Sequence, residues 1–147
     1  MQAALSLGSN LGDRNGYIKS ALTAIDRLPG TRVLRASKFY ETAAWGVENQ
    51  PDFINACALI DTDLPPHALL GACLGIEAAL GRVRSEHWGP RVIDIDILLI
   101  EGFSCDSPVL TVPHPLIKQR EFVLIPLREL FPIGNALGFE FDETVTL

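Results

Sequence analysis

The run Arg91-Val92-Ile93-Asp94-Ile95-Asp96-Ile97-Leu98-Leu99 carries the strongest chemical signal in the sequence. Read as a strand over 92–100, it turns Ile93, Ile95, Ile97 and Leu99 to one face and Asp94 and Asp96 to the other. The two carboxylates then stand roughly 6.6 Å apart at their Cα atoms. Like charges on one strand face are costly unless solvated or neutralised, and an oxygen-seeking divalent cation, or two bridged by shared carboxylates and phosphates, neutralises them. The alternative is a half-exposed strand with a polar outer face. Just upstream, Arg82, Arg84 and Arg91 flank Glu86, His87, Trp88, Gly89 and Pro90. Guanidinium groups hold phosphate oxygens through paired hydrogen bonds. Beside a metal-binding carboxylate pair they suit a polyphosphate, whose charge must be stabilised in the transition state. The alternative there is a solvated loop whose Arg side chains pair with Glu86 or the aspartates.

Weaker signals lie elsewhere. Phe53 and Asn55 are two apart and share a strand face, so the ring can stack on a flat heterocycle while the amide reads its edge. On spacing alone a core Phe beside a turn-type Asn explains them as well. His114 sits between Pro113 and Pro115, where it can bind phosphate, donate a proton or fix a turn. His67 and His87 read as surface and loop residues. No His, Cys or carboxylate pair has zinc spacing, and P-loop, nucleophile-elbow and dinucleotide fingerprints are absent. Gly8-Ser9-Asn10 after a strand is by itself only a turn.

The elements that must position these residues alternate in type. Residues 3–7 read as a first strand ending in the turn-rich Gly8-Ser9-Asn10-Leu11-Gly12-Asp13. Ile18, Ala21, Leu22, Ile25 and Leu28 recur at helical spacing before Gly30. Residues 31–42 read as a second strand and 53–62 as a third, separated by a loop of about ten residues, long for a compact domain. A helix over 65–80 presents Leu69, Cys73, Ile76 and Leu80 on one face, with its prolines in the first turn, and Gly81 closes it. After the Arg loop and the aspartate strand come a short strand at 109–112, a weak helix over 119–130 containing Pro126, and a last strand near Glu140 and Phe141. The order β-α-β-β-α-β predicts an α+β, ferredoxin-like sheet, mostly antiparallel, with helices covering one face.

The chain has 147 residues, which predicts one domain over 1–147. Net charge is −6, from 12 basic and 18 acidic residues, which argues against a sequence-independent nucleic-acid surface but leaves room for a local Arg pocket. No apolar run is long enough for a membrane helix, and the first residues lack the pattern of a secretion signal. Three cysteines, Cys57, Cys73 and Cys105, give an odd count with no C-x-x-C pair, so no disulfide framework is expected, Cys57 and Cys73 read as buried thiols, and the cytoplasm is the expected compartment.

Six blocks follow one another along the chain: Leu7-Gly8-Ser9-Asn10-Leu11-Gly12-Asp13; Phe39-Tyr40-Glu41-Thr42; Gln50-Pro51-Asp52-Phe53-Ile54-Asn55-Ala56; Glu77 with Leu80-Gly81-Arg82-Val83-Arg84; Trp88-Gly89-Pro90-Arg91-Val92-Ile93-Asp94-Ile95-Asp96; and Val112-Pro113-His114-Pro115 with Arg120-Glu121-Phe122-Val123-Leu124. Taken in this order they resemble the 6-hydroxymethyl-7,8-dihydropterin pyrophosphokinases of folate biosynthesis. The resemblance implies that ATP gives its terminal pyrophosphate to the hydroxymethyl oxygen of the dihydropterin, with attack at the β-phosphorus and release of AMP. It implies two Mg²⁺ ions on Asp94 and Asp96, with Arg82 and Arg91 on the phosphates, these four being the catalytic set. It implies that Glu77, Arg84, Thr111, His114 and Arg120 help hold ATP, with Ile97 and Leu98 backbone near the adenine. Phe53 and Phe122 would sandwich the pterin, while Asn55, Thr42 and the backbone of Ala43 and Trp45 read its edge. Two loops, near 43–52 and 82–91, would close over the substrates. The expected partners are these two small molecules, with no nucleic acid or membrane, and a monomer is expected. Ala44, Val109 and Pro115 depart from common family residues. A metal-dependent nucleotidyl transferase and a non-catalytic pterin or nucleotide binder are the competing readings.

Overall fold

The computed structural model describes residues 1–42, 52–81, 92–115 and 117–141. Along the chain they form β1 (Gln2–Ser9), α1 (Arg14–Asp26), β2 (Thr31–Ala36), β3 (Tyr40–Thr42), β4 (Phe53–Thr62), α2 (Pro66–Ala79), β5 (Asp94–Ile100), β6 (Cys105–Asp106), β7 (Thr111–Val112), a 3-10 turn (Ile117–Gln119), α3 (Glu121–Leu130), β8 (Asn135–Ala136) and β9 (Phe139–Glu140). The main sheet has the order β2-β4-β1-β5, with β3 added to β4, and its pairings are antiparallel. This is the ferredoxin-like arrangement the element order predicts.

Local chemistry explains the element ends. Asp13 caps α1 by accepting the Gly16 N–H at 3.1 Å. Ile18, Ala21 and Ile25 then face the sheet. Pro66 opens α2, where a missing N–H costs nothing, and Gly81, at φ 98°, turns the chain out of it. The expected strand over 31–42 divides into β2 and β3, both paired to β4, with Ser37 between them donating to the Lys38 carbonyl and accepting the Cys57 N–H.

Sheet coverage differs from expectation. Helices α1 and α2 bury one face through Leu5, Leu7, Ile18, Ile25, Ile60, Leu69 and Ile97. Helix α3 covers part of the other through Val123, Leu124, Leu127 and Leu130, packed with Ala4, Cys57, Leu59, Leu98 and Leu99. The central strands β1 and β4 are buried on both faces along most of their length, so neither shows clean alternation and both need cover twice. Each fully buried Leu or Ile contributes about 1.5–3 kcal/mol.

The face predicted for Leu99 is also corrected. Ala4 pairs with Leu99 and Leu5 with Ile97, so a bulge at Leu98 inserts one residue into β5. Leu99 thereby joins the α3 face and Ile100 returns to the face of Ile97. Among the described residues no helix is long and apolar enough to cross a membrane.

Candidate active site

Antiparallel register decides which side chains meet. On the face partly covered by α3, Leu99, Ala4 and Leu59 form one row across β5, β1 and β4. The next row is Asp96, Ser6 and Cys57, and the last is Asp94, Gly8 and Asn55, continued by Tyr40 on β3. The sheet therefore changes from apolar to polar along its strands, and the aspartates occupy the polar end. Both are half-buried while Ile93, Ile95 and Ile97 are buried opposite, as the alternation predicts for this stretch. Asp94 and Asn55 both stand opposite Gly8, so they lie about two strand spacings apart, roughly 9.5 Å.

Beside Asn55 the structure brings together Thr42 and Phe53, two of the residues predicted for a flat heterocycle. Asn55 is buried, and its Nδ2 donates to Thr42 Oγ1 at 2.8 Å. Thr42 pairs with Phe53 across β3 and β4. Phe122, in the first turn of α3, packs partly buried against the second core, with the Arg120 guanidinium 5.5 Å above its ring centroid. Pro126 lacks the N–H that would bond the Phe122 carbonyl in a regular helix, which leaves that turn less constrained.

On the outer edge of β5 lies a cavity of about 280 Å³ lined by Leu70, Ile95, Asp96, Ile97, Val109, Leu110, Thr111, His114 and Pro115. Its walls are largely aliphatic with a few polar groups, the usual makeup of a small-molecule site. The His114 N–H donates to the Leu98 carbonyl at 2.8 Å, tying the 109–115 segment to the strand that carries the aspartates. Burial, then the positive charge of Arg120, holds the His114 pKa below the ordinary imidazole value, against the opposing pull of Asp94. Glu77 on α2 is 2% exposed, and its Oε2 accepts the Ile95 N–H at 2.7 Å.

The predicted residues thus fall into two groups that meet at the aspartates. Thr42, Phe53, Asn55 and Phe122 belong to the sheet face and the start of α3, and Asp96, Ile97, Thr111 and His114 border the edge cavity. Arg82, Arg84, Arg91, Ala43 and Trp45 lie outside the described residues, as do both predicted loops except Asp52.

Sequence reasoning missed several neighbours. Leu70 and Leu110 line the cavity and carry only an apolar signal. Arg14 donates through Nη1 to the Asp52 carbonyl at 2.8 Å and through Nη2 to Glu41 at 3.4 Å, bracing the two chain ends between which residues 43–51 run. Glu129 accepts the Tyr40 hydroxyl at 2.5 Å and the Lys38 N–H at 3.0 and 3.2 Å, joining α3 to β3. Contacts spanning 27 to 91 residues leave no local pattern to find.

Fold and site together define an α+β, ferredoxin-like protein with two carboxylates on one strand between a polar sheet face and an edge cavity. The chain belongs to the 7,8-dihydro-6-hydroxymethylpterin-pyrophosphokinase family, whose sequence model matches residues 4–132. It is 49% identical over 131 residues to the 2-amino-4-hydroxy-6-hydroxymethyldihydropteridine pyrophosphokinase of Methylorubrum extorquens, covering 89% of this chain and 83% of that one. To the protein of the same name from Pseudomonas aeruginosa it is 45% identical over 128 residues, covering 87% and 79%. A solved HPPK-DHPS in complex with substrates superposes with a TM-score of 0.67 at 15% identity, covering 95% of this chain and 41% of that longer chain. That likeness bears on the fold.

Proposed function

We propose that the protein transfers the terminal pyrophosphate of ATP to the hydroxymethyl oxygen of 6-hydroxymethyl-7,8-dihydropterin, giving the pterin diphosphate and AMP in folate biosynthesis. The observation that carries this reading is the position of Asp94 and Asp96 between an amide- and aromatic-lined sheet face and an edge cavity. In-line transfer needs the two substrates held on either side of one charge-neutralising centre. Family membership favours it over the nucleotidyl transferase and the non-catalytic binder.

The donor set fits Mg²⁺. Two carboxylates on one strand face, their Cα atoms about 6.6 Å apart, supply hard oxygen ligands, and Mg²⁺ commonly takes one or two carboxylates with the rest of its shell from phosphates and water. When bound, two such ions would neutralise phosphate charge and polarise the reacting phosphorus. The protein's own residues do the rest. Asn55, with Thr42, orients the pterin edge, and Phe53 and Phe122 hold its faces, helped by the backbone of Ala43 and Trp45. The cavity residues Ile97, Thr111 and His114, with the Leu98 backbone, Glu77, Arg84 and Arg120, hold the nucleotide. Arg82 and Arg91 stabilise charge on the transferring group. His114, held toward its neutral form, offers a hydrogen bond without adding a full positive charge. The enzyme acts as a cytoplasmic monomer of a single domain spanning 1–147.

Incubation with Mg²⁺, ATP and the hydroxymethyl dihydropterin should release AMP in step with the pterin diphosphate. Release of ADP, or nucleotide turnover indifferent to the pterin, overturns the reading.

A further inference from the structure

Gly8 sits in β1 between Asp94 and Asn55, on the row that joins the two halves of the site. Its backbone is not among the left-handed residues, so the strand conformation itself does not require glycine there. The space does. A Cβ built on Gly8 would stand 2.9 Å from Asn55 Oδ1 and 3.5 Å from Phe53 Cδ1. The Asn55 amide therefore leans off its own strand into the space where a β1 side chain would stand, toward the Asp94 strand. Its other end is held, because Nδ2 donates to Thr42 Oγ1 at 2.8 Å.

We infer that Gly8 is a positioning residue: its missing side chain, together with Thr42, sets the orientation of the Asn55 amide, and through it the selectivity for the flat heterocycle's hydrogen-bonding edge. This rests on the function proposed above. A methyl at position 8 forces the amide oxygen to move by a few tenths of an ångström or the side chain to rotate. Rotation breaks the Thr42 bond or turns the amide away from the ligand. The backbone has no such freedom, because β1 is paired on both sides here. The three atoms nearest that methyl belong to Asn55 and Phe53, so the displacement falls on the heterocycle side of the row and not on Asp94.

The test is Gly8→Ala in the full chain, with Asn55→Ala and the double variant completing a cycle. Dihydropterin affinity is read by calorimetry without nucleotide, and Mg·ATP affinity is read separately. Gly8→Ala should weaken dihydropterin binding about tenfold, the scale of one misplaced hydrogen bond, and leave Mg·ATP binding at the wild-type value. In the Asn55→Ala background the Gly8→Ala effect should vanish, since the atom it displaces is gone. Additive effects, or unchanged dihydropterin affinity in Gly8→Ala, overturn the inference. If Gly8→Ala does not fold, the double variant must regain the folded state, because it lacks the clashing oxygen; an unfolded double variant overturns the inference too. Wild-type protein that neither binds nor turns over the dihydropterin would instead sink the proposed function, before any variant is read.

Discussion

The carboxylate of Glu77 accepts the backbone N–H of Ile95 at 2.7 Å. Among the described residues β5 is the last strand of its sheet, so N–H groups on its outer edge meet no neighbouring strand there. Ile95 lies between Asp94 and Asp96, and α2 thus grips the aspartate strand near its N-terminal end, between the two carboxylates. Glu77→Ala would leave that N–H without its acceptor and should lower the unfolding free energy by about 1–3 kcal/mol. Glu77→Gln keeps an acceptor oxygen and should lose less. Urea denaturation checks the order, with a shifted midpoint and unchanged slope expected.

Asp94→Ala and Asp96→Ala should each reduce pyrophosphoryl transfer by about 10²-fold or more, because charge on the transferring group loses its neutralising centre. Dihydropterin binding in the absence of nucleotide should persist, since the proposed pterin contacts, Asn55 and the two aromatic rings, are left in place. Steady-state AMP release and calorimetry on the same preparations separate the two effects. Turnover near the wild-type rate in both variants would remove the aspartates from the mechanism.

Glu129 and Tyr40 should titrate as a linked pair. The Tyr40 hydroxyl bond, with smaller help from the Lys38 backbone and charge, holds the Glu129 carboxyl below its ordinary value, while the same bond raises the Tyr40 phenol. The contribution of Glu129 is therefore present above the ordinary carboxyl pKa near 4.5 and is lost as pH falls through the lowered one. The contribution of Tyr40 is present below its ordinary pKa of 10.0 and is lost as pH rises through the raised one. In Tyr40→Phe the Glu129 carboxyl should move back up, as read by carbon NMR titration of the side-chain carboxyl. An unmoved Glu129 titration would show that the hydroxyl does not govern it.

The three thiols should differ in reactivity. Burial, with added repulsion from Glu77 and Asp96, pushes Cys73 up to about 12 from 9.0, and burial followed by Glu129 raises Cys57 further. At a given pH below both values, the Cys73 thiolate fraction falls about a thousandfold. Cys105, half-exposed, should react with a thiol reagent in the native protein, and the other two only after denaturant is added. Rapid labelling of all three in the native state would contradict the burial.

Some of this is legible in the sequence. Strict alternation in Ile93-Asp94-Ile95-Asp96-Ile97 declares a strand with one apolar and one acidic face, because period two follows from the pleat alone. The α2 stripe of Leu69, Cys73 and Ile76 likewise follows from helical period, and all three are buried. The bulge at Leu98 was not legible. It depends on how β5 registers against β1, and Ile-Leu-Leu-Ile is apolar at every position. The second covering helix was equally hidden, since Pro126 obscures α3 and its partners Ala4, Cys57 and Leu59 stand on distant strands.

The sequence by itself determined the chemical inventory: which side chains can neutralise, stack and donate, and the order of elements that carries them. Tertiary structure alone decided that Asp94, Gly8 and Asn55 share one row, that Glu77 reaches Ile95, and that Arg14 and Glu129 brace segments far along the chain. Local periodicity sets which face of an element a residue occupies. Which residues meet across elements depends on strand register and helix placement, and those are settled by burial of the whole core.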